Sequence, residues 1–277
     1  MKRWELVLTV VAAMLSASRP TAADDEAPWR AALGERVRAG EPVVVHVTVA
    51  LCDNAQIACG SGGLGSPGNL RSNLYWGALF GAKRFFDRPE HGWEAVSSSR
   101  REPGVLERAV YRRWVQGAKW GRPAKVEQLV VLDAVHGARI DQAVKRFHRL
   151  ATAGARLAID VGDRSRDVTV SVAGYAGHNR LMDGLRLPDP VEGARAPVPS
   201  FVLACLSDRF FASSLRQAGS APVVTTRAFM APEGYAVEAA ARAFGDNRRP
   251  AQIREAVVRA YAKWQRITPR VAGRLFQ

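Results

Sequence analysis

Apolar runs rich in β-branched residues recur along this chain, and each one predicts a buried strand. The two longest cover residues 42–51 (PVVVHVTVAL) and 126–135 (VEQLVVLDAV). Residues 167–176 (DVTVSVAGYA), 200–204 (SFVLA) and 221–226 (APVVTT) continue the series. Apolar runs with little alternation are typical of strands that are covered on both faces of a parallel sheet.

Apolar residues at helical spacing lie between these strands. The clearest stripe ends at Gly154 and has members three or four positions apart: Ile140, Ala143, Val144, Phe147 and Ala151. A second stripe contains Leu74, Ala78, Gly81 and Phe85, with Asn73 as its N-cap, and a third follows Ser207 as N-cap.

The remaining segments complete the predicted order of elements. A helix opens at Pro232, a last helix covers residues 253–264, and residues 93–99 and 105–115 are short strands that can form a hairpin. Strands that alternate with helices predict an α/β fold, a three-layer sandwich in which helices cover both faces of a largely parallel sheet.

The amino terminus has the pattern of a signal peptide. A basic start precedes the apolar residues 6–15, and small residues follow up to Ala23. We therefore expect residues 1–23 to be a signal peptide and residues 24–277 to be a single α/β domain, periplasmic or secreted. A membrane anchor that stays attached is the alternative. No later segment predicts a membrane span.

The formal net charge of +14 suggests anionic partners, but the basic residues are dispersed and no nucleic-acid motif accompanies them. A solvated basic surface is favoured, and no nucleic-acid partner is expected. The glycine-rich residues 60–65 match a dinucleotide fingerprint but lie nine residues beyond the first strand, so a flexible loop is favoured and no cofactor is expected. No cluster has the spacing of metal ligands.

Three cysteines are present. Cys52 and Cys59 lie seven residues apart in one loop and are the natural disulfide pair in an oxidising compartment. Cys205 is then left as a free thiol at the end of the fourth predicted strand. Such a thiol is either a nucleophile or a small buried core residue.

A histidine ends the strand before the one that ends in this cysteine. His178 follows residues 167–176, and Cys205 follows residues 200–204. Since the carboxyl ends of parallel strands meet at one edge of a sheet, the imidazole can serve as base for the thiol. His136 also ends a strand but fits this order less well. His46 is predicted to be a core residue, and His91 and His148 surface residues.

The two blocks VSVAGYAGHN and FVLAC resemble the His-Gly and Ala-Cys strands of the caspase-like (clan CD) cysteine peptidases. The resemblance implies a caspase-like fold, a peptide or protein substrate, His178 as general base and acid, and Cys205 as nucleophile. It also implies that the backbone N–H groups of Asn179 and Cys205 bind the oxyanion. The family has glycine where this chain has Asn179. Asparagine keeps the N–H and tolerates left-handed backbone angles.

The chain also resembles a group of secreted bacterial proteins with an LCDN…NLYWG…GHN…C pattern, a resemblance that implies no reaction.

Tyr75 and Trp76 are either the wall of a pocket beside the dyad or packing residues. Asp53, with Asn54, lies where the caspase-like family selects its substrate, and a carboxylate there would favour Arg or Lys before the scissile bond. The alternative is that Asp53 and Asn54 form a turn that holds the glycine loop.

Asp183 is more typical of a turn or cap than of a third catalytic residue.

Two classes of function stay open. One is a secreted cysteine hydrolase, a peptidase with a His178–Cys205 dyad. The other is a noncatalytic periplasmic binding or envelope protein that retains the same fold.

Overall fold

A seven-stranded sheet runs through the part of the chain that the computed structural model describes, residues 27–99, 103–162, 164–188 and 197–277. The expected signal peptide lies outside the described residues. In chain order the strands are β1 (Val43–Ala50), β2 (Glu94–Ser99), β3 (Val105–Val115), β4 (Val126–Val135), β5 (Arg156–Val161), β6 (Arg164–Thr169), β7 (Val172–Ala176), β8 (Ser200–Leu203) and β9 (Pro222–Val224).

The sheet has the order β2-β3-β4-β1-β7-β8-β9. The five strands from β4 to β9 are parallel to one another, whereas β2 and β3 form an antiparallel hairpin at one edge. The prediction of an α/β fold with a largely parallel sheet is confirmed, and so is the hairpin.

Helices cover both faces of this sheet. They are α1 (Pro28–Arg38), α2 (Ala82–Phe86), α3 (Ile140–Ala153), α4 (Ser207–Gln217), α5 (Gly234–Gly245), α6 (Pro250–Gln265) and α7 (Pro269–Gly273). Alternate residues of β1 face opposite layers: Val45 and Val47 pack with α5 and α6, and Val44 packs with α3. Each buried valine stabilises the fold by about 1.5 kcal/mol or more, so both layers depend on this central strand.

The other edge of the sheet is covered by the last residues of the sequence. Thr226, just after β9, forms a bridge with Phe276. The backbones of Thr225 and Gln277 exchange two hydrogen bonds, of 3.2 and 2.9 Å, and Arg227 N–H donates to Leu275 O. The backbone that continues β9, residues 225–227, is therefore paired rather than open.

The helix predicted after Asn73 begins later than expected, at Ala82. Asn73 does not cap a helix. Its buried side chain accepts from the N–H groups of Cys52 and Tyr75 and donates to Cys52 O, which pulls the chain into successive turns. Gly77 permits this path because a Cβ there would lie 2.2 Å from Leu70 O.

The predicted strand of residues 167–176 is two strands, β6 and β7. At the break, Ser171 N–H donates to Val44 O, and Val44 N–H donates to the Ser171 hydroxyl. The serine thus moves the chain from a separate β5–β6 hairpin into the central sheet, and β5 itself was not predicted.

Asp133 on β4 forms the centre of a buried polar cluster. Its carboxylate contacts His46 Nε2 at 2.8 Å, Arg108 at 2.7 and 2.8 Å, and Arg146 at 2.8 Å. Burial alone would raise the pKa of Asp133, but His46 and Arg108 outweigh it and lower the pKa. His46 is a core residue, as predicted, and burial lowers its pKa.

The prediction that His148 lies on the surface is wrong. Its side chain is 1% exposed, because α3 turns it toward α4, where Nε2 lies 2.9 Å from the Ser214 hydroxyl. His91 is partly buried and stacks on Phe85 with ring centroids 4.3 Å apart. Burial lowers the pKa of both histidines.

We expect stability to fall as the pH drops below about 6.5, the ordinary histidine pKa. The unfolded chain then takes up a proton that buried His148 does not accept, so acid favours unfolding by at most about 1.4 kcal/mol per pH unit for this site. His148→Gln should flatten the profile between pH 7 and pH 5 in urea denaturation. Parallel profiles for the variant and the wild type would contradict the assignment.

Candidate active site

The pairing of β7 with β8 sets the geometry of the candidate dyad. Ala176 lies opposite Leu203 in a parallel register, and Gly177 N–H donates to Leu203 O at 3.3 Å. His178 and Cys205 each follow two residues beyond that pair. Since neighbouring strands lie about 4.8 Å apart, the two residues leave the sheet side by side at its carboxyl edge.

Asn179 joins the two segments directly. Its buried side chain donates from Nδ2 to Cys205 O at 2.6 Å and accepts at Oδ1 from Leu181 N–H at 3.1 Å. Asn179 does not have a positive φ, so the tolerance of asparagine for left-handed backbone angles is not used here. The residue is explained by its side-chain bridge, which glycine could not form.

Cys205 lies on a sharp turn between β8 and α4. Leu206, the next residue, has a left-handed φ of 52°, a conformation that costs a non-glycine residue about 1–2 kcal/mol. Ser207 does not cap α4 as predicted. Its hydroxyl donates inward to Val202 O at 2.8 Å, and Leu206 N–H donates to Ala228 O. These bonds hold the turn against its strain.

The Cys205 thiol is free and partly exposed. Its Sγ lies 3.4 Å from the N–H nitrogen and 3.5 Å from the carbonyl oxygen of Met230. The backbone N–H groups of Asn179 and Cys205 donate no hydrogen bond to any residue in the described ranges. Two unused donors therefore accompany the sulfur.

Asp183 holds the imidazole of His178. Its Oδ2 lies 2.6 Å from His178 Nε2 and 3.1 Å from Arg180, which in turn contacts Asp141 at 2.9 Å. Burial opposes ionisation of Asp183, but His178 and Arg180 lower its pKa. The prediction of a mere turn or cap residue missed this contact. The spacing of five residues within a turn, Asp183 after His178, was the available signal.

The ring and the sulfur are not hydrogen-bonded to each other: His178 Nε2 contacts Asp183, and the polar contacts of Cys205 Sγ are with the Met230 backbone. A neutral imidazole that donates from Nε2 carries its lone pair on Nδ1. Nδ1 is therefore the ring nitrogen available to a thiol proton.

Tyr75 and Trp76 have different surroundings. Tyr75 is buried, and burial raises its pKa. Trp76 is fully buried and donates from its indole to Glu107 at 2.8 Å. Trp76 thus has the contacts of a packing residue, whereas a place for Tyr75 in the wall of a pocket stays a prediction.

The loop after β1 is tied together internally. Cys52 and Cys59 form the expected disulfide. Asn54 accepts from Cys59 N–H and donates to Gly60 O, both at 2.9 Å. The Asp53 carboxylate accepts from Ala55 N–H at 2.9 Å. These contacts are those of a turn that holds the glycine loop, and a contact of Asp53 or Asn54 with substrate stays a prediction.

His136, the other histidine that ends a strand, lies farther from the thiol. It follows β4, which β1 and β7 separate from β8. Its Nδ1 accepts from Ala138 N–H at 3.2 Å. The sheet order therefore favours His178 over His136 as the partner of Cys205.

Two sizeable clefts lie elsewhere on the described surface. One of about 540 Å³ has Lys83, Arg84 and Glu107 in its wall, and one of about 550 Å³ has Arg30 and Lys119. The first also contains Ser98, whose hydroxyl donates to Glu107 at 2.8 Å, but neither wall contains a cysteine or a histidine. The thiol and the imidazole therefore identify the candidate site, rather than the size of a cleft.

Comparison with known proteins finds no family model, no curated protein and no solved structure that matches this chain. No helix within the described ranges is long and apolar enough to cross a membrane. Among the same residues, no group of three or more His, Cys, Asp or Glu side chains is arranged to hold a metal ion.

We expect the double variant C52S/C59S to be less stable by about 2.5 kcal/mol, the loop-closure entropy of a disulfide that spans seven residues. Urea denaturation of both proteins measures the loss, and wild type kept in reductant should give the same value. Equal stability of the variant and the oxidised wild type would show that Asn73 and Asn54 hold this loop without the disulfide.

Proposed function

We propose that this protein is a cysteine hydrolase of the caspase-like type, a peptidase, in which Cys205 is the nucleophile and His178 the general base and acid. The single observation that carries the proposal is the register of β7 and β8, which brings both residues out at one sheet edge. The free thiol and the side-chain bridge from Asn179 to Cys205 support it.

The reaction follows from these positions. His178 Nδ1 takes the proton of the Cys205 thiol, and the sulfur attacks the substrate carbonyl carbon. The C–N bond breaks as His178 returns the proton to the leaving amine. Water, deprotonated by His178, then hydrolyses the thioester and restores the thiol. Asp183 keeps the proton on Nε2, which leaves the lone pair of Nδ1 free to accept the thiol proton.

The oxyanion that forms in both steps needs donors. The N–H groups of Asn179 and Cys205 are the donors that the resemblance implies, and neither is used by another described residue. Two such backbone donors stabilise an oxyanion by several kcal/mol in the transition state.

The alternative function is a noncatalytic periplasmic binding or envelope protein. It is favoured by the missing hydrogen bond between ring and sulfur, although such bonds often tighten only when substrate is bound. Thiol alkylation of the folded protein separates the two functions: rapid alkylation at Cys205 supports the hydrolase, whereas a thiol that reacts only on unfolding supports the alternative.

A periplasmic or secreted location is part of the proposal. A disulfide persists in an oxidising compartment, and the Cys52–Cys59 pair agrees with the signal peptide expected at residues 1–23. Cell fractionation followed by sequencing of the mature amino terminus tests this, and an intact Met1 in the cytoplasm would refute it.

We expect Cys205→Ala and His178→Ala each to lower peptide hydrolysis by about 10³-fold or more, and the double variant to lose no more, because the two side chains act as a unit. Cleavage of a peptide library, followed by mass spectrometry, measures the loss. His136→Ala is the matched control and should keep full activity. Full activity in either dyad variant would refute the mechanism.

We expect Asp183→Asn to lower kcat by about tenfold or more with little change in KM, since an amide no longer fixes the proton on Nε2 of His178. The pH dependence of kcat, which reports the ionisation of the general base, should also change. Asp141→Asn is the control, because Asp141 shares Arg180 but does not touch His178. Equal losses in both variants would mean that Arg180, not the imidazole contact, matters.

A further inference from the structure

The segment after β9 borders the thiol and then turns back on itself. Ala228 O accepts from Leu206 N–H, and the backbone of Met230 contacts Cys205 Sγ. Glu233 N–H then donates to Ala231 O at 2.9 Å. Glu233 therefore lies three residues after the backbone that contacts the sulfur, with a tight turn between them.

The Glu233 carboxylate is half-buried and only half-used. Its Oε2 accepts from the Tyr235 hydroxyl and from Gln265 Nε2, the latter at 3.1 Å. Oε1 accepts no hydrogen bond from any residue within the described ranges, and Glu233 forms no ion pair with a described Lys, Arg or His side chain. One carboxylate oxygen therefore stays open.

The missing cation is informative because cations are abundant in this chain. The sequence has 40 lysines and arginines against 26 acidic residues. Burying a carboxylate without a cation is costly, and burial raises the pKa of Glu233. A cation that arrives with a ligand would relieve this cost.

Two tyrosine contacts connect Glu233 with the segment that borders the thiol. The Tyr261 hydroxyl accepts from Ala231 N–H at 3.2 Å, one residue after Met230, whose backbone contacts Cys205 Sγ. The Tyr261 ring packs edge-on against Tyr235, with ring centroids 5.8 Å apart, and the Tyr235 hydroxyl donates to Glu233 Oε2. The carboxylate and the thiol are therefore connected through neighbouring residues of one cluster.

We propose that Glu233 is a cation-accepting subsite beside Cys205 that binds the ammonium or guanidinium group of a lysine or arginine side chain of the substrate. This inference adds a substrate contact to the proposed function. It rests on that function, because the bound cation belongs to a substrate only if the protein is a hydrolase. Oε1 can accept from one N–H of either group, while Tyr235 and Gln265 hold Oε2 in place.

Glu233 fits this role better than Asp53. The Asp53 carboxylate accepts from Ala55 N–H and faces Gln56 within its own turn, and its side chain is buried. Glu233 keeps an unused oxygen next to the residues that border the sulfur. The preference for Arg or Lys that the sequence analysis attributed to Asp53 would then come from Glu233.

The test uses thiol chemistry and does not need a known substrate. A methanethiosulfonate reagent reacts with Cys205 by attack of the sulfur on the thiosulfonate sulfur. A disulfide forms, and methanesulfinate leaves. The two probes are the trimethylammonium-ethyl reagent, a cation, and the sulfonatoethyl reagent, an anion. Intact-mass spectrometry of the oxidised full-length protein gives both rates at mildly alkaline pH.

We expect Glu233→Gln to lower the ratio of cation rate to anion rate by about fivefold or more, as a unit charge near the sulfur requires. Glu255→Gln, which removes the same charge from an exposed position on α6, should leave the ratio unchanged. Glu233→Asp, which keeps the charge, should retain most of the preference and guards against misfolding of the Gln variant. An unchanged ratio in Glu233→Gln, or no reaction at Cys205, would overturn the proposal.

The outcomes separate the subsite from the proposed function. A charge preference that depends on Glu233, together with no peptide hydrolysis, would leave the subsite standing and refute the hydrolase. Hydrolysis that depends on Cys205, without that charge preference, would refute the subsite alone. If both hold, Glu233→Gln should lower kcat/KM on lysine and arginine peptides far more than on neutral peptides.

Discussion

The pairing of β7 with β8 is the constraint on which the candidate site depends. Gly174 lies opposite Phe201, and a Cβ on Gly174 would lie 2.3 Å from the aromatic ring, so the ring packs directly over the glycine. A slip of one residue would place a side chain under that ring and turn every following side chain to the other face. Gly174 and Phe201 thus fix where His178 and Cys205 emerge.

The sequence predicted the features that depend on periodicity. The apolar runs identified the strands, and the order of His178 and Cys205 along the chain indicated the shared edge. What it did not reveal depends on side-chain hydrogen bonds between distant segments. The turns around Asn73, the strand break at Ser171 and the burial of His148 each need a partner that periodicity does not identify.

The acid partners of the site were missed for the same reason. Asp183 follows His178 closely enough to suggest a turn, but only the fold brings its carboxylate onto Nε2. Glu233 lies beyond β9 and becomes notable only because Met230, three residues earlier, contacts the thiol through its backbone. The composition of the chain does not single out either residue as part of a site. It shows only that acidic residues are fewer than basic ones.

The pairing of residues 275–277 with residues 225–227, directly after β9, also matters mechanically. The bonded residues Thr225 and Arg227 lead directly into Met230, whose backbone touches the thiol. An unpaired edge strand is a template for association with other chains, and this pairing closes the stretch of backbone that continues β9. It also anchors the wall of the site from outside, so tension or a bulky fusion at residue 277 would be transmitted to the sulfur over only a few residues of backbone.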